Sequence, residues 1–486
     1  MSAPTEAAPP LAPHWQLVIV ATLAGLAFRG VSIYFAPQNS YIPDHIANMA
    51  WARYAAQHGP WNLYDMPLGW PLMLRAVDLQ NSALMNVPVH SPHDYNYPPG
   101  SAWVFGLSGL AWQWLDGVEL DGRVHPQNAA RYQLPPTFRS PLLDTHASRF
   151  ANALPGVVAD FALALAVAWL VRRTQSPHLG PMPAAAAYAV TLVAPPIFLD
   201  SAFWTQADSW VMAPLVAVLA ACLAGRWAVA GAAYGLAAML KPQAILLGPV
   251  LAFLVLAHLL SPERRFVLPR LMRFLSSTAV VIAILAAPVM LADRDAPGGP
   301  WRWLQRSYGE TVGDSLYHQT TLSAFNLWWI DWMASGATRE TLDAARPLAG
   351  VRRDVIGKIL LACAVVAAFA IALTRWRRLA GAGLICAFLV TFAAFVLPTR
   401  VHERYIYYCL PFAIALAAVD WKRWLGPLLA LLLVGAAEML SFRWLPVPGG
   451  ALYGTILAGL TLATFATSLI LALLPSRSRF RPLDSA

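Results

Sequence analysis

Pro99-Gly-Ser-Ala-Trp-Val-Phe-Gly-Leu-Ser-Gly-Leu-Ala-Trp-Gln-Trp-Leu115 decides how this chain is folded. It is apolar enough to be counted as a membrane span, and counting it would reverse the side on which every later loop lies. The short basic connections settle the choice. Arg172-Arg173; Arg226; Arg264, Arg265, Arg270 and Arg273; Arg375, Arg377 and Arg378; Lys422-Arg423; and Arg477, Arg479 and Arg481 all follow even-numbered spans when 99–115 is left out. Positive loops stay in the cytoplasm. Residues 99–115 therefore read as an interfacial or re-entrant helix inside a long outer loop, where irregular backbone is tolerated if protein covers it.

Outward from this stretch, apolar runs of about 20 residues recur, the length a helix needs to cross a bilayer. Spans are expected at 15–35, 148–171, 181–199, 209–225, 227–240, 243–260, 271–292, 355–374, 379–397, 404–419, 424–442 and 453–475. This makes 15–475 one all-α polytopic membrane domain of about 12 transmembrane helices. Two long loops, 36–147 and 293–354, fall on the non-cytoplasmic face, and the first carries the interfacial helices. Residues 1–14 are expected to form a disordered cytoplasmic tail, Ala/Pro-rich and without the basic n-region of a cleaved signal. Residues 476–486 are expected to form a basic cytoplasmic tail.

Composition excludes the main soluble classes. Of 486 residues, 58% are hydrophobic and 12% charged, with a mean hydropathy of +0.52, against about 25% charged in soluble domains. The net charge of +9 sits in arginine clusters between spans, where topology explains it, so no nucleic acid partner is expected and membrane lipid is. Cys222, Cys363, Cys386 and Cys409 lie in or at apolar segments without CxxC spacing, implying neither a metal site nor a disulfide framework. There is no GxxxxGK(S/T) and no GxGxxG to cradle a nucleotide diphosphate in the cytosol. Any chemistry belongs outside.

Ionisable residues at membrane depth are costly and invite a functional reading. Here they gather at the outward ends of the spans. Asp44 lies in Tyr41-Ile-Pro-Asp-His-Ile-Ala-Asn-Met-Ala-Trp51, just past the first span. Phe198-Leu-Asp-Ser-Ala-Phe-Trp-Thr-Gln-Ala-Asp-Ser-Trp210 carries Asp200, Gln206 and Asp208. Lys241-Pro-Gln243 and Arg400-Val-His-Glu-Arg-Tyr405 follow, the latter with His402, Glu403 and Arg404. The loops add Tyr97, Arg302, Arg306, Tyr308, Asp314, His318 and Asn326.

Each also has a bland reading. Lys241 could snorkel to the interface, Asp44 and Asp208 could be helix caps, His402-Glu403-Arg404 could be a helix-end ion network, and Tyr97-Pro-Pro99 a rigid turn. Convergence on one face favours function. Cations beside carboxylates suit an anionic, lipid-borne ligand: the cations hold a phosphate, and a carboxylate accepts a proton from an attacking hydroxyl. A single displacement with inversion needs no covalent intermediate, so one carboxylate suffices.

The set resembles the GT-C superfamily of membrane glycosyltransferases that use polyprenyl-phosphate sugars, and within it the dolichyl-phosphate-glucose α-1,3-glucosyltransferases and their bacterial relatives. The resemblance is carried by Asp44 with Trp51; Tyr97-Pro-Pro99; Asp160; Trp204-Thr-Gln-Ala-Asp208; Lys241-Pro-Gln243; Ala324-Phe-Asn-Leu-Trp328; and Val401-His-Glu-Arg404, in order over roughly 40–410. It implies a GT-C-type fold; the Arg- and Ala-rich usage without a cleavable signal points to a bacterial inner membrane, and the parity of the basic loops puts the active site on the periplasmic face. The resemblance also implies transfer of a hexose, glucose or mannose favoured, from a polyprenyl-phosphate donor to a hydroxyl of a lipid-linked or polymeric glycan. Asp44 would be the general base, and His402, Glu403 and Arg404 would line the donor phosphate and sugar pocket. Lys241, Gln243, Gln206 and Asp208 would shape that pocket, with Tyr97, Arg306, His318 and Asn326 as loop contributors. Asp293-Arg294-Asp295 is too slight a signal to argue for a divalent cation, so no cofactor is expected.

Two other classes compete. A lipid-sugar flippase would want an amphipathic cavity with cations, but also internal repeats and polar residues at mid-membrane. An accessory subunit without chemistry predicts no convergent acid and base. The Trp-rich second loop, with Trp301, Trp303, Trp328, Trp329 and Trp332, could stack on sugars, although tryptophan at a membrane interface explains it more simply.

Overall fold

Helices dominate the computed structural model because a backbone in an apolar medium must hydrogen-bond to itself. It describes residues 12–37, 39–67, 71–77, 84–90, 95–116, 145–313, 318–336, 343–446, 448–475 and 480. Most of both expected tails, Asp314, and Arg477, Arg479 and Arg481 lie outside the described residues.

The chain is a helical multi-pass membrane protein. Among the described residues, seven helices are long and apolar enough to cross a bilayer: Pro13–Phe35, His146–Thr174, Pro242–Leu259, Arg264–Asp295, Arg353–Leu373, Trp376–Val396 and Gly450–Leu473. Met182–Val193 and Pro195–Phe203 form an eighth if the pair, bent by 49°, is one span. The apolar runs expected at 209–225 and 227–240 are helices of 16 and 14 residues, Asp208–Leu223 and Trp227–Leu240. Those at 404–419 and 424–442 correspond to Leu410–Val419 and Trp421–Met439.

We number the helices α1 (Pro13–Phe35), α2 (Ile42–His58), α3 (Pro99–Asp116), α4 (His146–Thr174), α5 (Met182–Val193), α6 (Asp208–Leu223), α7 (Trp227–Leu240), α8 (Gly248–Leu259), α9 (Val267–Ala292), α10 (Leu327–Ser335), α11 (Arg353–Leu373), α12 (Leu379–Val396), α13 (Leu410–Val419), α14 (Trp421–Met439) and α15 (Gly450–Leu473). The stretch 99–115 forms α3, which is not among the seven. It lies against α2 instead, and a Cβ on Gly109 would stand 2.1 Å from the carbonyl oxygen of Ala52. Only glycine permits that approach.

The first loop also holds what the helical reading missed. Strands β1 (Pro71–Val77) and β2 (Leu84–His90) pair antiparallel, from Pro71 opposite His90 to Val77 opposite Leu84. Seven-residue runs are too short to register when apolar length is the guide. The all-α description stands, since helices make up most of the structure, with this hairpin and two small pairings added among the described residues. One is β3 (Thr321–Leu322) alongside β6 (Val401–His402), parallel; the other is β4 (Pro347–Leu348) with β5 (Val351–Arg352).

The centre and the rim differ in burial. The span ending with α12 is 94% buried, whereas the one containing α9 is 17% buried and presents Leu268, Met272, Val280, Ile284 and Leu291 outward. Apolar side chains turned outward on a membrane helix face acyl chains. α7 and α9 touch through small residues: a Cβ on Gly231 would stand 2.1 Å from Phe274 O, and Thr278 Oγ1 donates to Gly231 O at 2.8 Å. Small residues that let backbones approach are the usual glue between membrane helices.

Chain direction sorts the bundle into two ends. α6 begins and α7 ends at the same end, where α4 begins and where α12 delivers the chain to β6. At the other end lie Arg375 and Arg423, both bonded to Leu474 O.

Candidate functional site

The site starts from α2. Pro43 occupies its first turn, and Tyr41, not Asp44, holds the N-cap position. Asp44 is thus free of the capping role that sequence allowed and reaches across to the segment before α6. Gln206 Nε2 donates to Asp44 Oδ2 at 2.6 Å, and one helical turn further along α2, Asn48 Nδ2 donates to Thr205 O at 2.9 Å. Thr205 has φ +61°, a left-handed backbone that a threonine rarely holds unless neighbours fix it. Just before it, Leu199–Phe203 is a π-helical turn, a distortion frequent at functional sites.

Arg404 closes the other side. Its Nη1 lies 3.6 Å from Asp44 Oδ2 and 3.4 Å from Glu403 Oε1, and its Nε lies 3.7 Å from Asp208 Oδ2. One guanidinium therefore answers three carboxylates. Arg400, at φ +63°, turns the chain into this segment, and its N–H donates to Thr320 O at 2.9 Å. The β3–β6 pairing then fixes Val401 and His402.

Beneath Arg404 lies a closed ion pair. Asp208 Oδ1 accepts from Lys241 Nζ and from Tyr408 OH, with the Asp208 side chain fully buried and Lys241 3% exposed. The rings of Tyr97, Tyr405 and Tyr408 stand 5.8–5.9 Å from Lys241 Nζ, an aromatic cage for the ammonium. Gln243 Nε2 donates to Tyr405 OH at 3.0 Å. Lys241 does not snorkel, and Asp208 does not cap α6, whose N-cap is Ala207. The Asp44 side chain is 21% exposed and that of Arg404 11%, against 3% for Lys241 and none for Asp208, so access to the pair is from the Asp44 side.

Electrostatics distinguishes the flanking pair. Burial, and then the Arg404 charge, lower His402 below the usual histidine range, so its ring is held neutral. Burial pushes the Glu403 carboxyl up, but His402 and Arg404 outweigh it and hold Glu403 below its ordinary value.

The structure brings together Asp44, Gln206, Asp208, Lys241, Gln243, Tyr97, His402, Glu403 and Arg404. Three expected contributors stand apart. Arg306 donates to Tyr64 O at 3.1 Å in a neighbouring cluster where Arg302 pairs with Asp65 at 2.5 Å. His318 is exposed, with its carbonyl accepting from Ala344 N at 2.7 Å. Asn326 is buried, caps α10 by accepting from Trp328 N at 3.0 Å, and donates to Phe395 O at 3.1 Å. Its work is to seat the second loop. Asp160, noted within the second span, pairs with Arg29 at 2.8 Å and accepts from Ser201 at 2.5 Å and from Ser209.

Tyr405 and Tyr408 were missed as site residues. Their three-residue spacing after His-Glu-Arg at a helix entry was the available signal, since it puts both rings on one face. Asp200, seen in sequence but given no role, is fully buried, and neither of its side-chain oxygens has a hydrogen-bond partner.

Compared with models of known protein families and with curated proteins, the chain matches none of them. What the site can do must be read from its own groups. It combines an accessible carboxylate held through one oxygen by Gln206, a guanidinium beside it, and a buried ion pair beneath the guanidinium.

Proposed function

We propose that the protein is a membrane hexosyltransferase that moves a sugar, glucose or mannose favoured, from a polyprenyl-phosphate donor to a glycan hydroxyl by inverting single displacement. One observation carries the reading: Asp44, accessible and oriented by Gln206, lies 3.6 Å from the Arg404 guanidinium at the ends of apolar helices. A base for a hydroxyl and a cation for a leaving phosphate are the two groups this reaction needs.

In the proposed reaction the acceptor oxygen attacks the anomeric carbon as its proton passes to Asp44. The bond from that carbon to the phosphate oxygen breaks, and polyprenyl phosphate leaves with its charge facing Arg404. Lys241 is committed to Asp208, so its part is to hold the floor of the pocket rather than to grip phosphate. Glu403 and His402 set the orientation of Arg404. A GT-C-type arrangement of about 12 crossings, a periplasmic site and a bacterial inner membrane belong to the same proposal. Its support is the arginine cluster at the opposite end of the bundle, which positive-inside logic assigns to the cytoplasm.

The experiment is transfer by the purified protein against a panel of polyprenyl-phosphate sugars, with membrane lipid extract as acceptor and products read by mass spectrometry. A mass gain of one hexose with a single donor supports the reading. Donor binding without transfer to any acceptor, together with lipid-sugar flipping in proteoliposomes, would replace it with a transporter.

A further inference from the structure

At the end of the bundle opposite Asp44, three helix ends meet around one backbone oxygen. Arg375, just past α11, donates from Nη2 to Leu474 O at 2.6 Å, and Arg423, in the first turn of α14, donates from Nη2 to the same oxygen at 2.8 Å. Two guanidinium groups that share an acceptor stand close enough to repel. Burial, and then the charges of Arg423 and Arg378, pull Arg375 below an arginine's ordinary range. Among the described residues, Asp420 offsets Arg423 and no acid offsets Arg375.

Both groups keep a donor unused. Arg375 Nη1 and Arg423 Nε are buried without a hydrogen-bond partner. Unmet charged donors in a protein's interior cost stability, and a planar fork of N–H groups is matched to phosphate oxygens. The level of the pair in the membrane names the source of such a phosphate. Arg377 stands 5.6 Å from the Trp376 ring, Lys422 5.8 Å from the Trp421 ring and Arg423 5.7 Å from the Trp424 ring. Tryptophan collects at the depth of lipid headgroups, and Trp421 is 54% exposed.

We propose that Arg375 and Arg423 form a binding site for the phosphodiester of an anionic lipid headgroup in the leaflet at this end of the molecule. The unused N–H groups take the phosphate oxygens, and one anion relieves the repulsion between two cations. Bound there, the headgroup ties together the ends of α11, α14 and α15. Basic pockets between helix ends are the known setting for such lipids.

The test uses the full chain in zwitterionic detergent, with native mass spectrometry and thermal unfolding followed on addition of phosphatidylglycerol, phosphatidylcholine or inorganic phosphate. Phosphatidylglycerol alone is expected to stay bound and raise Tm. Arg375→Gln with Arg423→Gln is expected to weaken its retention roughly tenfold or more. Arg172→Gln with Arg173→Gln, which removes equal charge from the end of α4, should leave retention unchanged. Equal weakening by both pairs would make the attraction a general field and overturn the site. Stabilisation by inorganic phosphate or phosphatidylcholine equal to that by phosphatidylglycerol overturns the anionic-lipid assignment. Should the double variant not fold, Arg375→Lys keeps the charge without the fork and must lower retention; unchanged retention rejects the proposal.

Discussion

Asp44 and Asn48 lie one turn apart on α2, so their side chains meet two adjacent residues of the opposing segment, Asp44 bonding Gln206 and Asn48 bonding Thr205. This clasp holds a strained backbone and the carboxylate at once. Replacing Gln206 by Ala should lower kcat by roughly one to two orders of magnitude with donor KM unchanged, because a misplaced base slows the chemistry and not the binding. A matched rise in KM with constant kcat would assign Gln206 to donor binding instead. His402 carries a pH dependence of fixed sign. Its folded pKa lies below the ordinary 6.5, so below about pH 6.5 the unfolded chain takes up a proton that the folded chain refuses. Stability should therefore fall as pH drops from about 6.5 through the lowered value, with Glu403 adding to the loss below its ordinary 4.5. Tm against pH for wild type and His402→Gln checks this; a slope over that window as steep in the variant would remove His402 from the account. The acids and bases of the site were legible as residue types at span ends. Which of them pair was not, because Lys241 meets Asp208 through the packing of α7 on α6, and sequence spacing carries no such information.

Between elements, the strongest constraint is the charge pair deep in the helices. Arg29 of α1 and Asp160 of α4 are both buried, and Arg29 also donates to Leu192 O at 2.8 Å, joining α1 to the end of α5. Arg29→Met would strand the Asp160 carboxylate and should cost about 3–5 kcal/mol, whereas Arg29→Met with Asp160→Leu should recover most of the loss. Thermal unfolding of the two variants decides; a double variant no more stable than the single one would show that packing, not the stranded charge, sets the cost. Apolar length located nearly every helix, including α3. It could not see the β1–β2 hairpin, whose strands are short, nor the π turn at Leu199–Phe203, which follows from how 199–206 wraps around Asp160 and Asp44.

For the whole molecule, the separation of an arginine-rich end from the Asp44 end predicts opposite exposure across the membrane. In a Cys363→Ser background, a cysteine at Asp295 should react with an impermeant thiol reagent added outside intact cells, and one at Lys422 should react only after permeabilisation. The reverse pattern would turn the protein over and place the proposed chemistry in the cytosol. The expectation of this orientation rests on charge placement along the chain, because loops record their side through arginine count. The arrangement of the site was not readable, since it is assembled from α2, α6, α7 and the 400–408 segment, residues far apart in sequence. The measurement that bears most directly on the central claim is hexose transfer by Asp44→Asn, with donor binding measured on the same preparation. The account predicts a folded protein that binds donor as wild type does and transfers nothing measurable. Transfer at a rate near wild type would contradict it.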